Sequence, residues 1–253
     1  MEHLQKILFK LKDLGCSGVK ISYEDEGALL NEIITMRYLT SSVGLKLSIK
    51  IGGCEAKRDI VDCIHLNSDA VVAPMIESAF ALKKFSNSIK MYNYTGEKGF
   101  NLETIQAYNS LEEISNEFPL VDFITFGRVD FVSSLHKDRS YVNSPEMYEM
   151  VSNVFQKARE KNIKCYLGGA ISIESKDFIG SLITNKLIDK FETRYIIFDT
   201  SKMQFEKLNE LLYLANIFEV EWLKLISNRY HFLFNKDANR IKMIEERILT
   251  NIT

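Results

Sequence analysis

Seven short apolar runs recur along the chain, at residues 18–25, 45–53, 70–77, 99–103, 121–130, 163–170 and 194–199. The stretches between them have helical periodicity, as in GALLNEIITMRYLTSS (27–42), EAKRDIVDCIHLN (55–67) and PEMYEMVSNVFQKAREKN (145–162). Two-residue turns join antiparallel strands, whereas connections this long belong to parallel strands joined by crossover helices. About 250 residues of such alternation is the usual size of a closed (β/α)₈, or TIM, barrel; an open doubly wound sheet reads similarly. The expectation is one α/β barrel domain over 1–253, with 205–253 as a helical C-terminal extension of two amphipathic helices. Two segments compete to supply an eighth strand: IKMYNY (89–94) and DKFET (189–193).

In such barrels the catalytic groups sit where strands open into the βα loops. The apolar runs end on Glu24, Asp25 and Glu26, on Lys50 with Gly52 and Gly53, and on Glu77, Glu103, Arg128, Asp130, Gly168, Gly169 and Asp199. Any one of these carboxylates has a plain reading as a helix cap or first-turn residue. Together they point to one charged rim, where several carboxylates repel one another unless a cation sits among them. An all-oxygen ligand set with no nearby His or Cys suits a hard ion, Mg²⁺ or Mn²⁺.

Bulk properties remove other classes. A formal net charge of −2 provides no basic field for nucleic acid or acidic membranes. No apolar run approaches the roughly 18 residues needed to span a bilayer, and MEHLQKILFKLKDLG lacks the layout of a signal peptide. Cys16, Cys54, Cys63 and Cys165 form no CxxC pair, which fits reduced thiols. A cytoplasmic protein is expected, with partners that are neither nucleic acid nor membrane. His3, His65, His136 and His231 are scattered and form no dyad.

Three segments, IKIGGCEA…VVAPMIES, FNLETIQAYNSLEEI and FITFGRVDFVSSL, resemble the HpcH/HpaI aldolase and citrate lyase family of metal-dependent, pyruvate-handling barrels. The similarity runs from about residue 17 to about 200. It implies that Glu103 and Asp130, 27 positions apart, hold the metal, and that the substrates are a small 2-oxo acid and an aldehyde or acyl partner. An enolate next to pyruvate's methyl carbon is the implied intermediate, stabilised by the ion as a Lewis acid. Lys50 stands where much of the family carries arginine, so it is expected to stabilise the enolate oxygen with a point charge instead of a planar fork. A Schiff base on Lys50 is the competing role.

Many members use a loop histidine as general base, and YEDEG has none, so Glu26 or Glu24 takes that role in the expected site. Arg128 and Arg194 are candidates for clamping a carboxylate or phosphate. Gly52 and Gly53 are expected to let backbone N–H groups approach the substrate, with Glu77 beside them. The family and the apolar tail imply a homo-oligomer. The missing histidine and the lysine replacement also support a different class: a catalytically altered barrel that binds metal and 2-oxo acid or acts as a scaffold. A sugar-phosphate isomerase would need a phosphate cradle, and IFDTSKM offers no glycine-rich one.

Overall fold

The structure, a computed structural model, describes residues 1–250, with side chains through residue 245. The order is α1 (Glu2–Asp13), β1 (Cys16–Ser22), α2 (Leu30–Val43), β2 (Lys46–Lys50), α3 (Lys57–His65), β3 (Ala70–Ala73), α4 (Ala79–Met91) and β4 (Glu97–Leu102). There follow α5 (Ile105–Asn109), α6 (Leu111–Ser115), β5 (Phe123–Gly127), α7 (Arg128–Ser134), α8 (Pro145–Glu160), β6 (Lys164–Gly168), α9 (Lys176–Thr184), β7 (Lys190–Glu192), β8 (Ile196–Asp199) and α10 (Leu208–Thr250). The eight strands close in sequence order into one barrel, as expected.

From β1 to β7 each strand runs parallel to the next. β8 runs antiparallel to both β7 and β1. Only Thr193–Tyr195 separate β7 from β8, too few residues for a parallel crossover, so a hairpin is the only way to close the circle. DKFET thus supplies β7. IKMYNY is not a strand: α4 runs through Met91, and Asn93 leaves it in the left-handed region at φ 53°.

The reversal of β8 decides where the last helix goes. Asp199 pairs with Lys190, so the chain leaves the barrel at the end where β7 begins. α10 then climbs back up the side, about 16 Å from Leu208 to Glu219, and packs against α1. Phe218 and Trp222 lock it to the hairpin through edge-on contacts with the Tyr195 ring at 6.4 and 6.5 Å. Contrary to the two helices expected after residue 205, residues 208–250 form one helix; with no Gly or Pro in this stretch, nothing interrupts the hydrogen-bond ladder.

Strand alternation divides the side chains between the helix-covered core and the barrel axis. Leu47 and Ile49 of β2, Phe100 and Leu102 of β4 and Ile124 and Phe126 of β5 join the core under the helices. Their neighbours turn inward. Ala70, Val72, Phe123 and Tyr166 form a separate plug at the floor, with the Phe123 and Tyr166 rings stacked at 4.4 Å. Burial of a ring of this kind stabilises the fold by about 2–3 kcal/mol. The apolar plug leaves the upper barrel free for polar side chains.

Candidate active site

Above the plug a cavity of about 350 Å³ opens at the mouth. Lys20 of β1, Lys50 of β2, Asn101 of β4, Thr125 of β5 and Glu192 of β7 line its walls. Glu103 follows β4 directly, and Asp130 lies in the first turn of α7 after β5. Both open on this cavity, so neighbouring strands bring the two expected metal ligands to one space.

Glu103 is 2% exposed. Its Oε1 accepts the Met75 N–H at 3.0 Å, and its Oε2 accepts the Asn101 Nδ2 amide at 3.0 Å. Burial pushes its carboxyl above the ordinary value, opposed by the Lys50 charge and both hydrogen bonds, while the negative charge of Asp130 adds to the rise. Asp130 stands largely exposed at the rim, yet partial desolvation raises its carboxyl too, with Lys50 opposing. Asp130 raises the proton affinity of Glu103, and Asp25 and Glu24 raise that of Asp130, so the carboxylates around this cavity favour a cation among them. Gly127 makes room for this arrangement, because a Cβ there would lie 2.7 Å from Glu103 Oε2.

Lys50 is 5% exposed, with Nζ 2.8 Å from Glu24 Oε2 and 3.9 Å from Glu103 Oε1. Burial alone pulls its ammonium down, but Glu103 and Glu24 outweigh burial and hold it above the ordinary lysine value. A lysine held in its charged form suits electrostatic stabilisation and is a poor amine nucleophile.

No group of three or more His, Cys, Asp and Glu side chains among the described residues is gathered tightly enough to hold a metal ion by itself. Glu103 and Asp130 supply two hard oxygen donors, and Mg²⁺ commonly takes one or two carboxylates and completes its sphere with water and substrate oxygens. The donor set therefore fits the ion that the strand-end carboxylates suggest.

Several expected residues lie elsewhere. Arg128 is 0% exposed and turned away from the mouth. Its guanidinium donates to Gly168 O at 3.3 Å, Gly169 O at 2.7 Å, Val142 O at 3.1 Å and Asn143 Oδ1 at 2.7 Å, and stacks over Phe178 at 4.9 Å. The expected substrate clamp is instead a brace under the β5 and β6 loops, and burial lowers its pKa to about 9. Gly169, at φ 81°, allows the close approach, since a Cβ would meet Val129 N at 2.7 Å.

The Gly52 N–H is spent on Asp59 Oδ2 at 2.7 Å, and neither Gly52 nor Gly53 lines the mouth. β3 stops at Ala73 and Met75 turns at φ 49°, which carries Glu77 to an exposed position where it accepts the Thr104 hydroxyl at 2.7 Å. Glu26, an expected base, is buried beside the mouth instead of in it, and Glu24 meets Lys50 without lining the cavity. Asp25 is the residue of YEDEG that lines it. Arg194, at the hairpin turn, faces the mouth and stands 3.7 Å from Asp25 and 3.6 Å from Glu26.

Sequence reasoning missed Lys20 and Asn101. Lys20 Nζ meets Glu192 Oε1 at 2.5 Å, and Asn101 Oδ1 is buried with no hydrogen-bond partner. Their signal was strand parity: Lys20 lies two residues before Ser22, the end of β1, and Asn101 two residues before Glu103, each on the same face as its partner.

A family model described as HpcH/HpaI aldolase/citrate lyase matches residues 38–178. A solved HpcH/HpaI aldolase from Desulfitobacterium hafniense DCB-2 superposes with a TM-score of 0.62 at 11% identity, covering 76% of this chain and 82% of its own. The citrate synthase SbnG gives 0.61 at 11% identity over 86% of this chain and 89% of its own. A Burkholderia cenocepacia J2315 protein of the HpcH/HpaI aldolase/citrate lyase family gives 0.58 at 11% identity over 70% and 80%. No curated protein matches the chain in sequence. At these identities the structural likeness is one of fold, and residue roles rest on the geometry above.

Proposed function

The chain belongs to the HpcH/HpaI aldolase/citrate lyase family, and from that premise we propose that its mouth makes or breaks a carbon–carbon bond next to pyruvate, or a close 2-oxo acid, with Mg²⁺ or Mn²⁺ held by Glu103 and Asp130. The observation that carries this reading is the meeting of two carboxylates from neighbouring strands and one buried ammonium in a single cavity.

A bound divalent ion would supply Lewis-acid stabilisation of negative charge on the 2-oxo acid's oxygen. Lys50 places a second positive charge at that oxygen, kept protonated by Glu24 and Glu103. Asn101 orients Glu103 through its amide and keeps Oδ1 free for a substrate hydroxyl. Asp25 takes over from Glu26 as the carboxylate that accepts the proton of the partner's hydroxyl, because it faces the cavity. Arg194 stands ready to bind a substrate carboxylate, its present ion pairs being long.

The test is exchange of pyruvate methyl protons in deuterated water with Mg²⁺ or Mn²⁺. Exchange is expected in the wild type and lost in Glu103→Gln and Asp130→Asn with the circular dichroism spectrum retained. Absence of exchange in a wild type that binds the ion overturns the reading.

One observation favours a second reading, a binding or scaffolding barrel: beyond Tyr230, α10 exposes Phe232, Phe234 and Ile241 at 69%, 70% and 57%. Metal and 2-oxo acid binding without proton exchange or turnover would select it.

A further inference from the structure

A second cavity, of about 500 Å³, opens beside the mouth between the β1–α2 loop and α10. It shares Asp25, Arg194 and Glu219 with the mouth. Four carboxylates line it, those of Asp25, Glu26, Glu32 and Glu219, against one cation, Arg194.

The four are not equally satisfied. Glu32 accepts the Tyr230 hydroxyl at 2.5 Å and the Leu29 N–H at 2.8 Å. Arg194 stands 3.7 Å from Asp25 and 3.6 Å from Glu26, too far for a hydrogen bond to either. Glu219 has no hydrogen bond or ion pair among the described residues. The Glu26 side chain is 8% exposed; its Oε2 accepts the Ser22 N–H at 2.5 Å, but its Oε1 is buried with no hydrogen-bond donor. Burial, only partly offset by Lys20 and the Ser22 N–H, pushes Glu26 up to about 7.

Carboxylates in excess of cations around a partly closed space, one of them buried with a bare oxygen, are complementary to an added positive charge. The rest of the wall is apolar and aromatic, with Tyr195, Trp222, Leu223 and Ile226. Such a wall suits a hydrocarbon body.

We propose that this second cavity binds an organic ammonium, a primary amine on an apolar body, with its charged head between Glu26 and Glu219 and its body against Tyr195 and Ile226. The site stands independently of the chemistry assigned to the mouth.

Isothermal titration of the full chain at pH 7.5 tests it with three ligands that share a 2-phenylethyl body: 2-phenylethylammonium, the neutral 2-phenylethanol and the anionic 3-phenylpropanoate. The expected result is saturable one-to-one binding of the ammonium, at least tenfold tighter than either of the others. Glu26→Gln and Glu219→Gln should each weaken it at least fivefold. Because Glu219 is only partly buried on a helix, Glu219→Gln provides the measurement even if Glu26→Gln fails to fold. Failure of the ammonium to saturate, equal binding of the alcohol, or wild-type affinity in Glu219→Gln overturns the proposal. Preference for 3-phenylpropanoate overturns it as well and makes Arg194 the anchor of an anion site.

Discussion

The Lys50 ammonium and the Glu103 carboxylate face each other at 3.9 Å inside the barrel, both almost fully buried. Each has little contact with bulk water, so each depends on the other and on a short list of protein partners: Glu24 for the lysine, Met75 N–H and Asn101 for the glutamate. Removing one member of such a pair costs more than removing both.

A mutant cycle measures that dependence. Lys50→Met should lower unfolding free energy by about 3 kcal/mol in urea titrations, because it leaves Glu103 buried against a weaker set of partners. The double change Lys50→Met with Glu103→Gln should recover about 1 kcal/mol or more of that loss. If Lys50 stabilises an enolate oxygen, Lys50→Met should also slow pyruvate proton exchange by about 10²-fold or more.

Arg128 predicts a stability phenotype. Its guanidinium holds three backbone carbonyls and Asn143 with no carboxylate partner among the described residues, so Arg128→Met strands buried acceptors and should cost about 3–5 kcal/mol. Arg128→Lys should rescue little, since an ammonium cannot span that fork of acceptors. Thermal unfolding of the three proteins checks this.

Gly127→Ala tests the packing behind the carboxylate site. The new Cβ would lie 2.7 Å from Glu103 Oε2 and 2.9 Å from its Cβ, so the carboxylate must swing away and the backbone that carries Glu103 must move with it. The expected outcome is at least tenfold weaker Mn²⁺ binding by titration, with a stability loss of about 1–3 kcal/mol.

Glu26 gives a pH signature. Its folded pKa of about 7 lies above the unfolded value of about 4.3. Between those values the folded state keeps the proton and the unfolded state releases it, so stability is fully present below about pH 4.3 and falls as pH rises toward 7. The loss through that window is about 3 kcal/mol. The difference in unfolding free energy between wild type and Glu26→Gln should therefore shift against the wild type by that amount between pH 4.5 and 7.5; a flat difference would show that Glu26 ionises normally.

The architecture and half of the site could be read from residue order because both depend on local rules. Apolar runs separated by a helix length require parallel strands, and a charged residue in register with the inward-facing positions of its strand, such as Lys50 or Glu103, is carried to the mouth of the barrel. Parity along β1 and β4 would have added Lys20 and Asn101, which alternate with core residues. In contrast, Arg128 stands beside Asp130 in sequence but turns the opposite way, because it is the first residue of α7 and packs on carbonyls of the β6 loop and of the segment before α8. Which acid of YEDEG faces the mouth depends on a loop without periodicity, so Asp25 and Glu26 could not be told apart before the barrel closed.

The residue sequence by itself determined a strand–helix barrel with carboxylates and a lysine at its strand ends, because side-chain alternation and connection length act over a few residues. Only the tertiary structure decided the direction of β8, the course of α10 past the mouth and the division of the acidic residues between two cavities. Those outcomes depend on how the last strand meets the first to complete the ring, a contact between residues about 180 positions apart that no local pattern encodes.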